Sequence, residues 1–116
     1  MADRVLFIGW NRIVPGREQQ GMQLWQKTME FYTKLKDDGR IESFDPVLLS
    51  AHGGDLNGFV LLKGEAEKLG GVRRDEAFID LTIEAGYCLE GFGTITGYIG
   101  EGLTDVFSRW SKLLGG

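Results

Sequence analysis

A strand formed by the residues near the start of the chain would carry apolar side chains on both of its faces. Residues 4–14 read RVLFIGWNRIV, in which large apolar side chains occupy odd and even positions alike. Because successive side chains of a strand point to opposite faces of a sheet, both faces need cover. With 116 residues the chain has room for one domain, residues 1–116, and for few helices. We therefore expect helices of the same chain on one face and a partner subunit on the other.

A long amphipathic helix is predicted next. Pro15-Gly16 forms a turn that ends the first strand. In residues 17–38 apolar side chains recur at spacings of three and four, in two adjacent rows that form one broad stripe. Gly39 follows as a C-terminal stop signal. At 1.5 Å per residue this helix is about 33 Å long, which is the diameter of a small domain.

A β-hairpin is predicted after the helix. Residues 41–51 and 57–65 favour strands, and a glycine-containing turn over residues 52–55 joins them. Pro46 cannot donate a hydrogen bond to a neighbouring strand, so it indicates an edge strand or a bulge.

Two helical segments are predicted in the following part of the chain. Residues 65–69 fit a short helical turn that the glycine pair at 70–71 breaks. Residues 76–85 fit both a strand alternation and a helical face. We favour a helix, because Asp75 can cap its N-terminus and Gly86 can end it.

The last part of the chain predicts a strand and a final helix. Residues 87–99 carry aromatic and β-branched side chains, and their glycines indicate bulges or a close approach by another group. Residues 104–114, with Thr104 as the N-cap, carry a clean apolar stripe. Few cations flank this stripe, so we expect it to pack on the domain or on another subunit rather than on a membrane.

The predicted order is β-α-β-β-α-β with an extra C-terminal helix. This is the ferredoxin-like arrangement, an α+β fold with a four-stranded antiparallel sheet. Residues 4–100 resemble one protomer of the dimeric α+β barrel superfamily, which includes the antibiotic-biosynthesis-monooxygenase-like proteins. The resemblance rests on VPGRE at 14–18, the long aromatic-rich helix, the hairpin around 52–57 and EGFG at 90–93.

The resemblance implies a homodimer in which two four-stranded sheets pack face to face. The superfamily includes cofactor-free oxygenases, haem-degrading enzymes, small-molecule isomerases and proteins with no known activity, so the fold alone does not give a function. Its cofactor-free oxygenases use a pocket between sheet and helices that contains Trp, Asn, Tyr and His groups. Trp10-Asn11 is the part of this chain that resembles that set.

Seven residues are candidates for a pocket between the sheet and the helices. Asn11 and His52 are the candidate catalytic residues, because either could polarise a carbonyl group or hold a developing oxyanion. Asn11 is also compatible with a structural hydrogen bond, and His52 with a solvated loop. The candidate substrate-binding residues carry an aromatic ring or a cation, and each ring is also compatible with a place in the core: Trp10, Arg12, Trp25, Tyr32 and Tyr98.

Other chemistries find little support in the sequence. A net charge of −4, from 13 basic and 17 acidic residues, gives no basic surface for nucleic acid. The run GFGTITG at 91–97 is one residue off the dinucleotide-binding fingerprint and falls within a predicted strand. His52 and Cys88 are the only histidine and cysteine, so no disulfide and no metal motif is predicted, although His52 alone could ligate a haem iron. We expect no metal and no cofactor.

Two functions remain open at this point. One is a small homodimeric protein without catalytic activity, which either binds an apolar or aromatic small molecule between sheet and helices or serves mainly in assembly. The other is a cofactor-independent enzyme, monooxygenase-like or isomerase-like, that acts on such a molecule. An enclosed cavity lined by Asn11 and His52 would favour the enzyme, whereas a helix–sheet space filled by Trp10, Trp25 and Met29 would weaken the case for catalysis and for small-molecule binding alike.

We also expect a cytoplasmic protein that does not associate with membranes. No apolar run approaches the ~20 residues that span a bilayer. The N-terminal residues lack the apolar stretch of a signal peptide.

Overall fold

Six strands and four helices make up the computed structural model, which describes residues 1–115 of the chain. In chain order the elements are β1 (Arg4–Trp10), β2 (Arg12–Ile13), α1 (Glu18–Asp37), β3 (Ser43–Leu48), β4 (Gly58–Gly64), α2 (Ala66–Arg74), α3 (Glu76–Cys88), β5 (Leu89–Glu90), β6 (Gly93–Tyr98) and α4 (Gly100–Leu113).

Four of the strands form the main sheet, in the order β3-β4-β1-β6. Every neighbouring pair in this sheet is antiparallel. The strand that contains Pro46 lies at one edge of the sheet, as its missing N–H group predicts. The predicted α+β fold class and its ferredoxin-like arrangement are therefore confirmed.

One face of the sheet carries the hydrophobic core. Leu6 and Leu62, which face each other on β1 and β4, are both fully buried there. Helices α1, α2 and α3 cover this face and contribute to the same cluster. Its buried members from the helices are Tyr32, Leu35, Leu69, Val72 and Phe78. The helices of one chain thus bury the middle of the two central strands on this side of the sheet, whereas Leu48 on β3 and Thr96 on β6 remain exposed.

The opposite face, which we call the open face, is apolar apart from an ion pair between Lys63 and Asp45 toward the β3 edge. The alternation of side chains along the four strands places on it Phe7, Val47, Phe59, Leu61 and Ile95. The rings of Phe7 and Phe59 stack with their centroids 5.2 Å apart. Ile95 is 65% exposed. This pattern is consistent with the prediction that the first strand needs to be buried on both faces, because α1, α2 and α3 pack on only one of the two faces.

The strand predicted over residues 4–14 is broken at Asn11, which corrects the sequence analysis. β1 ends one residue earlier, and β2 pairs with β5 in a separate two-stranded ribbon. The break depends on a distant residue, since the Asn11 N–H donates to the Glu90 carbonyl oxygen at 2.8 Å. The strand predicted over 87–99 is divided beside the same contact, where Gly91 has a φ of +64°.

Two predicted helix ends in the middle of the chain are wrong. The segment expected to stop at the glycine pair 70–71 continues through it to form α2, because Leu69 and Val72 bury their side chains against the sheet. α3 likewise runs past Gly86 to Cys88. In both cases burial of the apolar face outweighs the low helix propensity of glycine.

Other local signals in the helices are confirmed. α1 ends at Asp37, and the following Gly39 adopts a φ of +73°. α3 is a helix rather than a strand, and the Asp75 carboxylate caps it by accepting from the Ala77 N–H at 2.8 Å.

α4 begins earlier than predicted and leaves its apolar stripe uncovered. The helix starts at Gly100, so Thr104 lies inside it and is not the N-cap. In its first turn Gly102 packs against the main chain of Asp3. A side chain at position 102 would clash with the Asp3 carbonyl oxygen. Beyond that turn Phe107 and Trp110 are both more than half exposed. None of the helices formed by residues 1–115 is long and apolar enough to cross a membrane.

Candidate functional site

A cavity of about 240 Å³ lies between the main sheet and helices α1 and α3. None of the 17 residues that line it is charged. The helices contribute mostly apolar and hydroxyl side chains, among them Met22, Leu24, Thr28, Phe78, Leu81, Thr82 and Ala85. Such a lining excludes a buried ion but suits a small apolar molecule.

An aromatic wall forms one side of the cavity. The ring centroids of Trp10 and Trp25 lie 5.8 Å apart, with the planes at 68° in an edge-to-face arrangement. Trp10 can lie flat on the sheet because its partner on β4 is Gly58. A Cβ atom at Gly58 would be 2.6 Å from the Trp10 ring, so this position has no room for a side chain.

The N-terminal part of α1 closes the cavity on another side. Gly21 is buried where α1 crosses β2, and a Cβ atom there would be 2.9 Å from Ile13 Cδ1. The glycine therefore allows the helix to approach the ribbon closely. Met22, the next residue of α1, and Leu48 at the end of β3 also line the cavity, yet they are 59% and 73% exposed. These two side chains mark the mouth.

Tyr32 lines the cavity from the middle of α1. Only 3% of its surface is exposed, and its ring meets Phe44 edge to face with centroids 5.9 Å apart. Burial raises the pKa of the Tyr32 hydroxyl above its ordinary value. The hydroxyl therefore keeps its proton at neutral pH and can donate a hydrogen bond.

Asn11 lies beside the cavity and does not line it. Its Oδ1 accepts a hydrogen bond from Asn57 Nδ2 at 2.6 Å, and the Asn57 N–H donates to the Trp10 carbonyl oxygen at 3.0 Å. These bonds hold the end of β1 to the β3–β4 hairpin. The geometry matches the structural role that the sequence left open for Asn11.

His52 lies in the exposed turn of the hairpin and is also outside the cavity lining. Its Nε2 donates to the Leu56 carbonyl oxygen at 2.9 Å, and its Nδ1 accepts from the Gly54 N–H at 3.2 Å. The two bonds assign the proton to Nε2. Both ring nitrogens are thus engaged by the main chain of the turn.

Arg12 and Tyr98 lie away from the cavity and from each other. Arg12 is exposed on β2 and its Nε donates to Glu90 Oε2 at 2.5 Å, a contact that raises the Arg12 pKa. Tyr98 is at the end of β6, where the Arg4 guanidinium lies 4.6 Å from its ring centroid.

The structure thus brings three of the seven candidates together in one cavity, namely Trp10, Trp25 and Tyr32. The contribution of α3 to the lining was missed, although the helical spacing of Phe78, Leu81 and Ala85 indicated the face involved. Among residues 1–115 no group of three or more histidine, cysteine or carboxylate side chains is placed to hold a metal ion.

The fold is similar to that of several solved structures. A dimeric protein of unknown function and ferredoxin-like fold from Bacteroides fragilis is 12% identical, with a TM-score of 0.58 over 83% of this chain and 96% of that chain. PA3566 from Pseudomonas aeruginosa is also 12% identical, with a TM-score of 0.60 over 86% of this chain and 96% of that chain. At these identities the similarity shows the fold alone.

A third similar structure is SnoaB, a cofactor-independent oxygenase from Streptomyces nogalater. It is 16% identical, with a TM-score of 0.49 over 85% of this chain and 93% of that chain, which is too low to support an inference about function. No protein-family profile and no curated protein sequence matches the chain. The predicted resemblance to the dimeric α+β barrel superfamily is confirmed at the level of the ferredoxin-like fold.

Proposed function

We propose that the protein binds a small, uncharged, apolar or aromatic molecule in the cavity between the sheet and helices α1 and α3. The observation that carries this proposal is the lining, which has an aromatic wall and no charged residue. Ligand pockets are typically concave and apolar with a few polar groups, and this cavity has that composition. A charged ligand would lose its hydration without gaining a counter-charge.

The second part of the proposal is that the protein works as a homodimer. Most of the open face is apolar, with Phe7 and Phe59 on the two central strands and Ile95 on the edge strand β6, and such a face is usually covered by another protein surface. The apolar stripe of α4 is exposed as well, with Trp110 at 54%. The similar protein from Bacteroides fragilis is described as dimeric, which supports the same assembly here. We also propose a cytoplasmic location for the dimer.

A second candidate function is cofactor-independent catalysis, monooxygenase-like or isomerase-like, on the same class of molecule. One observation favours it, the presence of the protonated Tyr32 hydroxyl in an apolar cavity, where a hydrogen bond to a developing oxyanion is effective. In this function Asn11 and His52 would contact only a ligand that extends beyond the cavity lining toward the hairpin.

Calorimetric titration with 1-naphthol and with 1-naphthoate tests the binding proposal. We expect 1-naphthol to bind and 1-naphthoate to bind at least tenfold more weakly, because the carboxylate would be buried without a cation. Equal affinity for the two compounds, or no binding of 1-naphthol, would contradict the proposal.

A matched pair of variants on α3 locates the binding. Ala85 is buried and lines the cavity, so Ala85→Phe should fill part of it and weaken 1-naphthol binding at least tenfold. Ala77 is exposed on the same helix, and Ala77→Phe should leave binding unchanged. Circular dichroism shows that each variant is folded before it is titrated.

A further inference from the structure

The Tyr32 hydroxyl is a polar group that the protein leaves without a partner in this cavity. The side chain is 97% buried, since 3% of its surface is exposed, yet none of the hydrogen bonds among residues 1–115 involves its hydroxyl. Buried tyrosine hydroxyls usually find a hydrogen-bond partner. An unpartnered one in a ligand-sized cavity therefore points to a partner that the ligand supplies.

The Tyr32 hydroxyl is not sealed in the core. Among the described residues, the only side-chain polar atom that is both sealed from solvent and unpartnered is Asp3 Oδ1. The oxygen of Tyr32 is thus accessible, and Tyr32 is one of the residues that line the cavity. The burial of the ring against Phe44 fixes the position of the hydroxyl, so a ligand meets a preorganised donor.

Most other polar groups of the lining also favour a ligand that accepts hydrogen bonds. The indole groups of Trp10 and Trp25 donate and cannot accept, and the Thr28 hydroxyl can donate as well as accept. The Thr82 hydroxyl already donates to the Ile79 carbonyl oxygen at 2.8 Å. With no carboxylate in the lining, the cavity offers nothing to balance a cationic donor on the ligand.

We propose that the Tyr32 hydroxyl donates a hydrogen bond to a carbonyl oxygen of the ligand, so that the ligand is an uncharged ketone or ester with an apolar body. This inference rests on the proposed binding function and narrows its ligand class. Under this inference, Tyr32 makes the site bind a carbonyl compound more tightly than a hydrocarbon of the same shape.

Titration with 1-tetralone and with tetralin, which lacks the carbonyl oxygen, tests the inference. We expect Tyr32→Phe to weaken 1-tetralone binding about threefold to tenfold, the range for one lost hydrogen bond, and to leave tetralin binding unchanged. The variant keeps the ring that packs in the core and removes a group with no protein partner, so it should fold. Tyr98→Phe, outside the cavity, is the matched control and should change neither affinity.

Infrared spectroscopy of bound 1-tetralone measures the carbonyl stretching frequency, which would not change if Tyr32 had only a structural role. The carbonyl stretch should lie at lower frequency in the wild-type complex than in the Tyr32→Phe complex, because a hydrogen bond weakens the C=O bond. Binding of both compounds with no effect of Tyr32→Phe on either readout would overturn the role of Tyr32 and leave the proposed function intact. Failure of tetralin and 1-tetralone alike to bind the wild-type protein would overturn both.

Discussion

The two faces of the main sheet carry similar apolar side chains but have different surroundings. On the helix-covered face Leu6 and Leu62 are completely buried beneath three helices. On the open face Leu61 and Phe7 are only partly buried and Ile95 is 65% exposed. Neighbouring positions of one strand, such as Leu61 and Leu62, therefore experience opposite environments.

This difference shows what one chain of this length can and cannot do. Three helices bury the two central strands on one side of the four-stranded sheet, and the cavity lies on the same side. The fourth helix leaves its apolar stripe exposed, so two apolar surfaces remain after the chain has folded. A second copy of the chain could bury both the open face and the apolar stripe of α4.

The largest expected effect concerns the adjacent pair Leu62 and Leu61. Leu62→Ala should lower the free energy of unfolding by about 2–5 kcal/mol, because it opens a cavity in a core that cannot collapse fully. Leu61→Ala should cost about 1 kcal/mol in the dissociated chain. At higher protein concentration its cost should grow, since the dimer would bury Leu61.

Urea denaturation at a low and a high protein concentration measures both variants. If Leu61→Ala is as costly as Leu62→Ala at every concentration, the two faces are equally buried within one chain and the comparison between them is wrong.

A smaller effect is expected at two strand glycines that face opposite sides of the sheet. Gly58→Ala should cost about 1–3 kcal/mol, because the new Cβ lies 2.6 Å from the Trp10 ring and must displace it. A Cβ atom at Gly93, on the open face, would meet no other atom within 4 Å, so Gly93→Ala should change stability by less than about 0.5 kcal/mol. Thermal unfolding measures the losses, and tryptophan fluorescence of the folded Gly58→Ala protein should report the moved ring.

The smallest expected effect concerns the ion pair between Arg40, which follows α1, and Asp75, which caps α3. Asp75 accepts from Arg40 Nη1 at 2.7 Å and from the Ala77 N–H, and these contacts, Arg40 first, hold the pKa of Asp75 below its ordinary value of 3.8. A carboxylate whose pKa is lowered on folding stabilises the protein at neutral pH. That contribution is lost as the pH falls below the ordinary value and through the lowered one.

Asp75→Asn should therefore cost about 0.5–1 kcal/mol at neutral pH, and this cost should shrink as the pH falls below the ordinary value of 3.8 toward the lowered pKa of the folded state. Asp80→Asn, an exposed change on the same helix, is the matched control and should leave the stability at neutral pH unchanged. Urea denaturation at neutral pH and at a pH below 3.8 gives the comparison, and a pH-independent cost of Asp75→Asn would show that the charge contributes nothing.

The parts of the fold that local chemistry determines could be predicted from the sequence. Pro46 indicated the edge strand and Asp75 the start of α3, because each acts through its own backbone or its near neighbours. The break at Asn11 could not be predicted, since it depends on a hydrogen bond to Glu90, 79 positions away. α2 passes through two glycines for a similar reason, because the burial of Leu69 and Val72 is a tertiary effect.

The candidate site could be predicted in part. Trp10, Trp25 and Tyr32 were identified because large aromatic residues on inward-facing rows of a strand and a helix tend to meet between them. Asn11 and His52 were selected for their chemical groups, but their hydrogen bonds within the hairpin depend on loop geometry that residue types do not encode.

Sedimentation equilibrium at low micromolar concentration tests the central claim most directly, namely that a second copy covers the open face. We predict a dimer with twice the 12.9 kDa mass of one chain for the wild-type protein. Ile95→Lys places a charge on the open face and should give a folded monomer, whereas Thr96→Lys, exposed on the other side of the same strand, should remain a dimer. A well-folded wild-type monomer under these conditions would contradict the account.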